Sequence, residues 1–479
     1  MSKEGSNKLY WIHYVIMLAL IACGWLLPAG EVITAMGMKA IGIFAGLIYG
    51  WIFVDLIWPS LLGLVLLSFT GYGSLTAVFG EGFGSEIVML IIFFSVYTKW
   101  LEDIGLTNSI AQWMLSRKFL SGKPYLFLFV IFLVTYVVSA CVGIYATIFL
   151  MWGICYQMLL NLGYAKRDKL TSFVLIGVAY VSIMGMTVIP WSPWSLMGLQ
   201  GLQSASGVSI GMLPYSIFML AIALVSVLLF MLMGKWIVKI DVSKLKNVDA
   251  LNLGSHVSFD GRQKLGGVLT VVMMVLLYAP GILSANVPLV SLFKSLGALG
   301  VIILLIVLLC AYKSGGEPAM NFTKATSAIP WSMVCLLAAV GPLGSILMSN
   351  DAGIIKALMM TLQPLFVGQS AMMIYIISAV ICCVATQFLN NTVLLVVLTP
   401  LLCQMSTMFN ANPAITAGVV IFALTAALAT PGACSRAGLV FGNSEWIDTK
   451  QAYLQGILSV IAVLIALIVI GIPLGGLLF

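Results

Sequence analysis

The chain of 479 residues is 62% hydrophobic and only 8% charged, where a soluble domain carries about 25% charged residues. A mean hydropathy of +1.15 makes the average residue apolar. That excludes secreted, nucleic-acid-binding and ordinary cytosolic classes and leaves an all-α polytopic membrane protein embedded in a lipid bilayer. The 22 basic residues against 15 acidic ones give +7, but these charges flank apolar runs and form no stripe for a nucleic acid.

The first apolar run, 11–27, follows Lys3 and Lys8. It exceeds the apolar core of a signal peptide, and Pro28-Ala29-Gly30-Glu31 is a poor cleavage site, so 1–37 reads as a tail with a retained first helix. Spans near 38–57, 59–71 and 84–101 follow. The stretch 124–163 is too long for one crossing at about 1.5 Å per residue, and small or polar residues interrupt its middle. A span at 171–200 interrupted by prolines and a span at 213–233 come next, then a charged linker, 234–265. The second half runs through spans at 266–284, 297–312 and 329–349, an overlong stretch at 366–409, an interrupted span at 414–442 and a last span at 451–475.

Each overlong stretch is either two spans or a re-entrant hairpin, and flanking charge decides between them. Arg117, Lys118 and Lys123 precede 124–163, and Lys166, Arg167 and Lys169 follow it. Both of its ends therefore belong in the cytoplasm. The stretch 366–409 is flanked by no charge, which suits a hairpin whose ends face outward. With a cytoplasmic N-terminus the layout has about eleven spans and two opposed hairpins. Only Lys39, Lys294 and Lys356 then fall outside, and the linker with its six basic residues falls inside. Segments 38–233 and 266–479 become inverted repeats. Leu101-Glu102-Asp103-Ile104-Gly105 before the first hairpin echoes Ser349-Asn350-Asp351-Ala352-Gly353 before the second. Inverted repeats with helices broken at the midplane are a common build of secondary transporters.

Backbone groups freed by a helix break supply polar atoms at membrane depth, and they are tolerated only inside protein or along a cavity. Four such places stand out. The first hairpin turns within Ser139–Thr147, where Gly143 permits a tight turn and Ser139, Tyr145 and Thr147 carry hydroxyls. The second turns at Thr386-Gln387-Phe388-Leu389-Asn390-Asn391-Thr392, whose amides are costly in apolar surroundings unless they bind something. The first broken span has Pro190-Trp191-Ser192-Pro193-Trp194, where Trp191 and Trp194 either line the pocket or belong to an interfacial belt. The second has Ala429-Thr430-Pro431-Gly432. Nine cysteines without metal spacing, and only His13 and His256, offer no disulfide framework, zinc site or histidine base.

These residues resemble the divalent anion:sodium symporter family of the wider ion transporter superfamily. Asn390-Asn391-Thr392 is similar to that family's second hairpin tip, and Ala429–Gly432 with Gly438–Gly442 to its second broken helix. The resemblance implies a sodium site drawing on Thr386, Leu389, Asn391 and Ala429. It also implies a substrate carboxylate held by Asn390, Asn391 and Thr392, with Pro431 close by. In the first repeat the pattern departs, because Gly143-Ile144-Tyr145 stands where the family has Ser-Asn-Thr. Ser139, Gly143, Tyr145, Trp191, Ser192 and Trp194 remain the first-repeat candidates. The resemblance further implies an elevator-like shift of the hairpin-bearing domain and a homodimer.

The expected function is secondary active transport of a small organic anion, a carboxylate, across the cell membrane, by sodium symport or anion exchange. No cofactor is expected beyond sodium as a coupling ion. A channel or a structural membrane subunit is the alternative, and no nucleophile–base set suggests an enzyme. Arg436 is the only charge between Lys356 and Glu445. It either snorkels to the inner interface or sits beside the second tip as a fixed cation. There it would meet the substrate carboxylate or supply the charge that sodium supplies elsewhere in the family.

Overall fold

The helices begin where capping chemistry allows. Thr34, Ser74 and Ser85 accept from the first-turn amides of α2 (Ala35–Phe53), α4 (Leu75–Phe83) and α5 (Glu86–Asp103). Before them lies α1 (Lys3–Leu26), and between them α3 (Ile57–Ser68). The computed structural model describes residues 3–115, 122–246, 259–282, 288–314, 317–354, 356–357 and 370–479. Arg117, Lys118, His256, linker residues 247–258 and the first residues of the second overlong stretch, 366–369, lie outside the described residues.

A short α6 (Leu106–Leu115) leads to α7 (Pro124–Val142) and α8 (Ile144–Asn161), which Gly143 alone separates and which fill the first overlong stretch. The next helices are α9 (Lys169–Thr187), α10 (Pro193–Ser206) and α11 (Met212–Met233), with a π turn extending α11 over Gly234–Val238. The second half repeats the order. It has α12 (Gly261–Ile282), α13 (Pro288–Ala311, broken at Gly297), α14 (Phe322–Ala325) and α15 (Trp331–Met348). The hairpin arms α16 (Ala371–Ala385) and α17 (Asn391–Met408) follow, then α18 (Pro413–Ala423), α19 (Ser435–Gly442) and α20 (Thr449–Ala466). A last π turn and α21 (Ile472–Leu478) end the chain.

Among the described residues, seven helices are long and apolar enough to cross a membrane, or nine when each bent pair counts as one span. The bends fall at matching places: α4 meets α5 at 48°, and the segment 322–328 meets α15 at 71°. Predicted spans at 11–27, 59–71 and 297–312 appear as shorter apolar helices. The short leading helices α4 and α14 escape a hydropathy reading because they hold only nine and four residues.

Reciprocal contacts tie the halves together. Thr34, at the start of the first repeat, donates through Oγ1 to Asp351 O at 2.7 Å and through its amide to Ala352 O at 3.2 Å. At the start of the second repeat, Gln263 Nε2 donates to Ile104 O at 3.2 Å. The carbonyls belong to the two echoed turns, whose glycines, Gly105 and Gly353, both hold left-handed backbone at φ 68° and 71°.

The broken helices run through the middle of the molecule. In α9, 94% of the apolar window is buried, against 39% in the hairpin arm α8, and every residue of α18 from Ala414 to Ala423 is buried. Lipid offers no hydrogen bonds, so interrupted backbone must sit there, enclosed by protein. At one end of the bundle, three charged segments converge. Lys166 pairs with Glu445, Arg167 Nε donates to Ser444 O at 2.6 Å, and Lys244 Nζ donates to Gly163 O at 2.6 Å.

Candidate functional site

Two arms of a hairpin can meet in one residue only if that residue reverses the chain without a side chain in the way. Gly143 does so at φ 88°, ψ 179° and serves at once as the end of α7 and the start of α8. It offers no side-chain cap, so the first-turn amides of α8 have no cap oxygen. Beneath the tip, Ser139 Oγ donates to Ser182 O of α9, fastening the hairpin to the first broken helix.

The first break, 188–192, frees carbonyls that the chain's own serines take up. Ser192 Oγ donates to Met186 O at 2.7 Å, Ser195 Oγ to Thr187 O at 3.1 Å and Ser216 Oγ to Val188 O at 2.7 Å. Ser192 also caps α10, and Pro193 occupies its first turn, where a missing N–H costs nothing.

A cavity of about 180 Å³ lies between these parts. Ser139, Cys141 and Gly143 of the tip form one wall, and Met186, Ser192 and Pro193 of the break form another. Phe94, Ser95, Thr98, Lys99 and Glu102 of α5 form a third. Lys99 Nζ lies 3.1 Å from Glu102 Oε2 and 3.0 Å from Asp103 Oδ1, and Asp103 is also 3.3 Å from Lys324 Nζ. Two ammonium groups thus balance two carboxylates. An ammonium has three N–H donors, and two of those on Lys99 are spent on the carboxylates. The N-terminus of α8, which has no side-chain cap, therefore meets a cavity whose charged wall is neutral overall, and it favours an anion; that of α10 lines the same cavity but is capped by Ser192.

Of the expected first-repeat residues, Ser139, Gly143 and Ser192 line this cavity. Tyr145 does not; it lies on the outside of the tip, 46% exposed. Trp191 and Trp194 are 1% and 4% exposed, which corrects both earlier readings, because neither is an interfacial residue and neither lines the cavity. Trp191 packs from behind on Phe94 and Tyr278, at ring distances of 6.4 and 5.6 Å. Trp194 Nε1 donates to Ile421 O at 3.2 Å and so joins α10 to α18.

The second tip is built differently. Asn390 turns its side chain back on its own helix, accepting from the amides of Thr392 at 2.9 Å and Val393 at 3.4 Å. That spends on its own helix the Asn390 side-chain oxygen, in a residue the resemblance assigned to the substrate. Asn391 is 7% exposed, and no side-chain hydrogen bond joins it to the described residues. Thr386 Oγ1 is fully buried without a partner, while Leu389 and Thr392 are half-buried. Gln387, which sequence reasoning passed over, fastens the tip to the second break. Its Nε2 donates to Ala426 O at 2.9 Å, its Oε1 accepts from Ala429 N at 3.0 Å, and its carbonyl accepts from Thr430 Oγ1. Pro431 is exposed beyond this staple.

Arg436 is 2% exposed, which rules out snorkelling. Its Nη1 donates to Ala179 O at 3.1 Å and more distantly to Tyr180 O at 3.4 Å. Its Nη2 donates to Thr425 O at 2.9 Å and to Ala427 O at 3.5 Å. All four contacts are to main-chain carbonyls, so the expected pairing with a substrate carboxylate is replaced by a bridge between the two broken helices. Lys99 was also overlooked. Its signal was present, since a lysine with acidic residues three and four positions on marks a helix-face ion pair at the end of an apolar run.

Comparisons with known proteins agree with this architecture. Residues 41–427 match the citrate transporter family, CitMHS. No curated protein matches the chain. Among solved structures, the Alcanivorax borkumensis YdaH transporter, described as having an unusual topology, is 12% identical with a TM-score of 0.57 over 98% of this chain and 97% of that one. Neisseria gonorrhoeae MtrF, described as illuminating a class of antimetabolite efflux pumps, is 13% identical with a TM-score of 0.48 over 97% and 94%. At such identity the likeness to YdaH is one of fold.

Proposed function

Since the chain belongs to the citrate transporter family, and is therefore a multi-pass secondary transporter rather than an enzyme, we propose that it carries a small polycarboxylate of the citrate class. The substrate binds in the cavity between the first hairpin tip, the first break and α5. One observation carries this reading: the N-terminus of α8, with no side-chain cap, meets the Lys99 ammonium in a single cavity. Fixed N–H dipoles hold a carboxylate without needing a net positive wall. The second tip adds the free amide of Asn391 as a further contact for the substrate during the transport cycle.

Movement is by an elevator-like shift. Ser139, Gln387 and Trp194 tie hairpins and broken helices to one another, and Asn443 Nδ2 donates to Tyr156 OH of α8 at 2.7 Å. A body so cross-tied travels as a unit. The repeats lie inverted in the cell membrane, with the converging basic segments and the N-terminus on the cytoplasmic side. A homodimer is the assembly that the resemblance implies.

Uptake of labelled citrate into proteoliposomes, with and without a sodium gradient and with and without internal citrate, tests the reading. Accumulation with a gradient means symport, and exchange without one means antiport. Failure of every carboxylate tried to accumulate or exchange overturns it.

A further inference from the structure

We propose that the protein holds a membrane lipid, with an acyl chain in a slot between α2, α15 and α17 and an ethanolamine headgroup donating to Gln404 Oε1. The site stands apart from the substrate cavity and does not depend on what that cavity carries.

The slot is a cavity of about 250 Å³. For scale, an apolar cavity of about 150 Å³ stays dry and takes up benzene. Its lining on α2 reaches from Ile41 to Trp51, which is about 15 Å of helix. On α15 it reaches from Val340 to Leu347, and on α17 from Val396 to Gln404. Gly201 of α10 faces Pro400 and Gly198 faces Leu395, while Gln200 faces Gly341 and Ser204 faces Gly344, so α15 and α17 run in the same direction. The amide of Thr34 donates to Ala352 O at 3.2 Å, which joins the start of α2 to the end of α15 and sets α2 the opposite way. Gln404, Leu347 and Ile41 therefore share one end of the slot, and Trp51, Val340 and Val396 the other. The space is long, narrow and parallel to the helices, the shape of an acyl chain.

The two ends differ in chemistry. Trp51 Nε1 is spent on Ser60 Oγ at 2.9 Å, so Gln404 is the one polar side chain with capacity left in the described lining. Its Oε1 is buried without a partner. Water needs two to four polar partners and finds one here, so the occupant is an apolar chain with a donor at one end. Gln404 lies one turn before the end of α17, and the exposed Asn410 follows, which puts the donor at the polar end of the helix. Lys39 and Lys356 stand two residues from Ile41 and Ile354 of the lining, and Glu31 and Asp351 stand close by in the joined segments. An end so balanced gives no net attraction to an anionic headgroup. A zwitterionic lipid fits, and of the common ones ethanolamine carries N–H donors while choline carries none. Because the slot separates α17 from α2 and α15, a chain lodged in it favours the arrangement in which these helices stand apart.

The purified full chain is reconstituted in nanodiscs of equal parts phosphatidylethanolamine, phosphatidylcholine and phosphatidylglycerol with the same acyl chains. It is then extracted in mild detergent, and the lipid that stays bound is identified by native mass spectrometry. Thermal unfolding in detergent is followed as each lipid is added. The ethanolamine lipid should be retained over the choline lipid by roughly tenfold, the worth of a hydrogen bond to a charged group, and should raise the midpoint further at equal concentration. Gln404→Leu should erase that preference. Without lipid it should unfold no earlier than wild type, since it removes an unpaired buried oxygen. Val397→Phe fills the slot and should retain neither lipid; Ile41→Trp fills it from α2 and covers the case in which Val397→Phe does not fold. Equal retention of the ethanolamine and choline lipids by wild type overturns the proposal, as does a preference that survives in Gln404→Leu or wild-type retention in the filled variants. Preferential retention of the glycerol lipid overturns the ethanolamine assignment.

Discussion

Replacing Gly143 by alanine isolates the backbone of the first tip from everything around it. An added Cβ there would meet only Met186 Sδ, at 4.0 Å, so collision contributes nothing. The whole cost lies in φ 88° and ψ 179°, a region that residues with a side chain occupy at about 1–3 kcal/mol of strain. At 1.4 kcal/mol per tenfold, the native tip becomes roughly 5- to 150-fold less populated relative to relaxed alternatives. A relaxed tip redirects α8 and removes its N-terminus from the cavity, so carboxylate affinity should fall by a factor in that range. Gly153→Ala, ten residues along the same arm, is the matched control. Its Cβ would also meet nothing, its backbone is helical, and alanine there should stabilise the helix by about 0.5–1 kcal/mol. Substrate binding to both proteins, read by titration, separates the two effects. Wild-type affinity in Gly143→Ala, or equal losses in both variants, refutes the placement of the site at the first tip.

Other perturbations probe the remaining parts. Lys99→Gln leaves Glu102 without its ammonium and removes a charge-assisted donor worth about 1.5–3 kcal/mol; carboxylate affinity should drop at least roughly tenfold, measured by competition binding at several ionic strengths. Gln387→Leu strips the acceptor from the buried amide of Ala429, at about 1–3 kcal/mol, and should lower the unfolding midpoint; Gln387→Glu keeps that acceptor but loses the donor to Ala426 O and buries a carboxylate, so it should lower the midpoint at least as far. Asn390→Ala removes a helix cap and should cost about 1 kcal/mol of stability. Asn391→Ala breaks no hydrogen bond, so it should unfold like wild type yet abolish citrate uptake; an active Asn391→Ala protein makes the second tip a plain polar turn.

Much of the architecture could be read along the chain because it depends on local properties. Apolar run length marks the spans, and an overlong run with small residues at its centre marks two helices joined by a short turn. Two prolines around Trp191 mark one break, and Thr430-Pro431-Gly432 marks the other. The echo ending in Gly105 and Gly353 was legible because both turns need the same left-handed backbone. Which tip forms a cavity was not legible. Asn390 looked like a ligand because it is polar at depth, but it turned out to cap its own helix, and a bare glycine left the other tip without a side-chain cap. Pairing across the molecule is hidden for a related reason. The carbonyls of Ala179 and Tyr180 lie more than 250 positions from Arg436, and nothing in the sequence between them says that the two broken helices cross there. A main-chain carbonyl is present at every residue, so it leaves no mark in the sequence. Composition could therefore place a cation at depth in this chain, but only packing could decide that main-chain oxygens, and not a carboxylate, surround it.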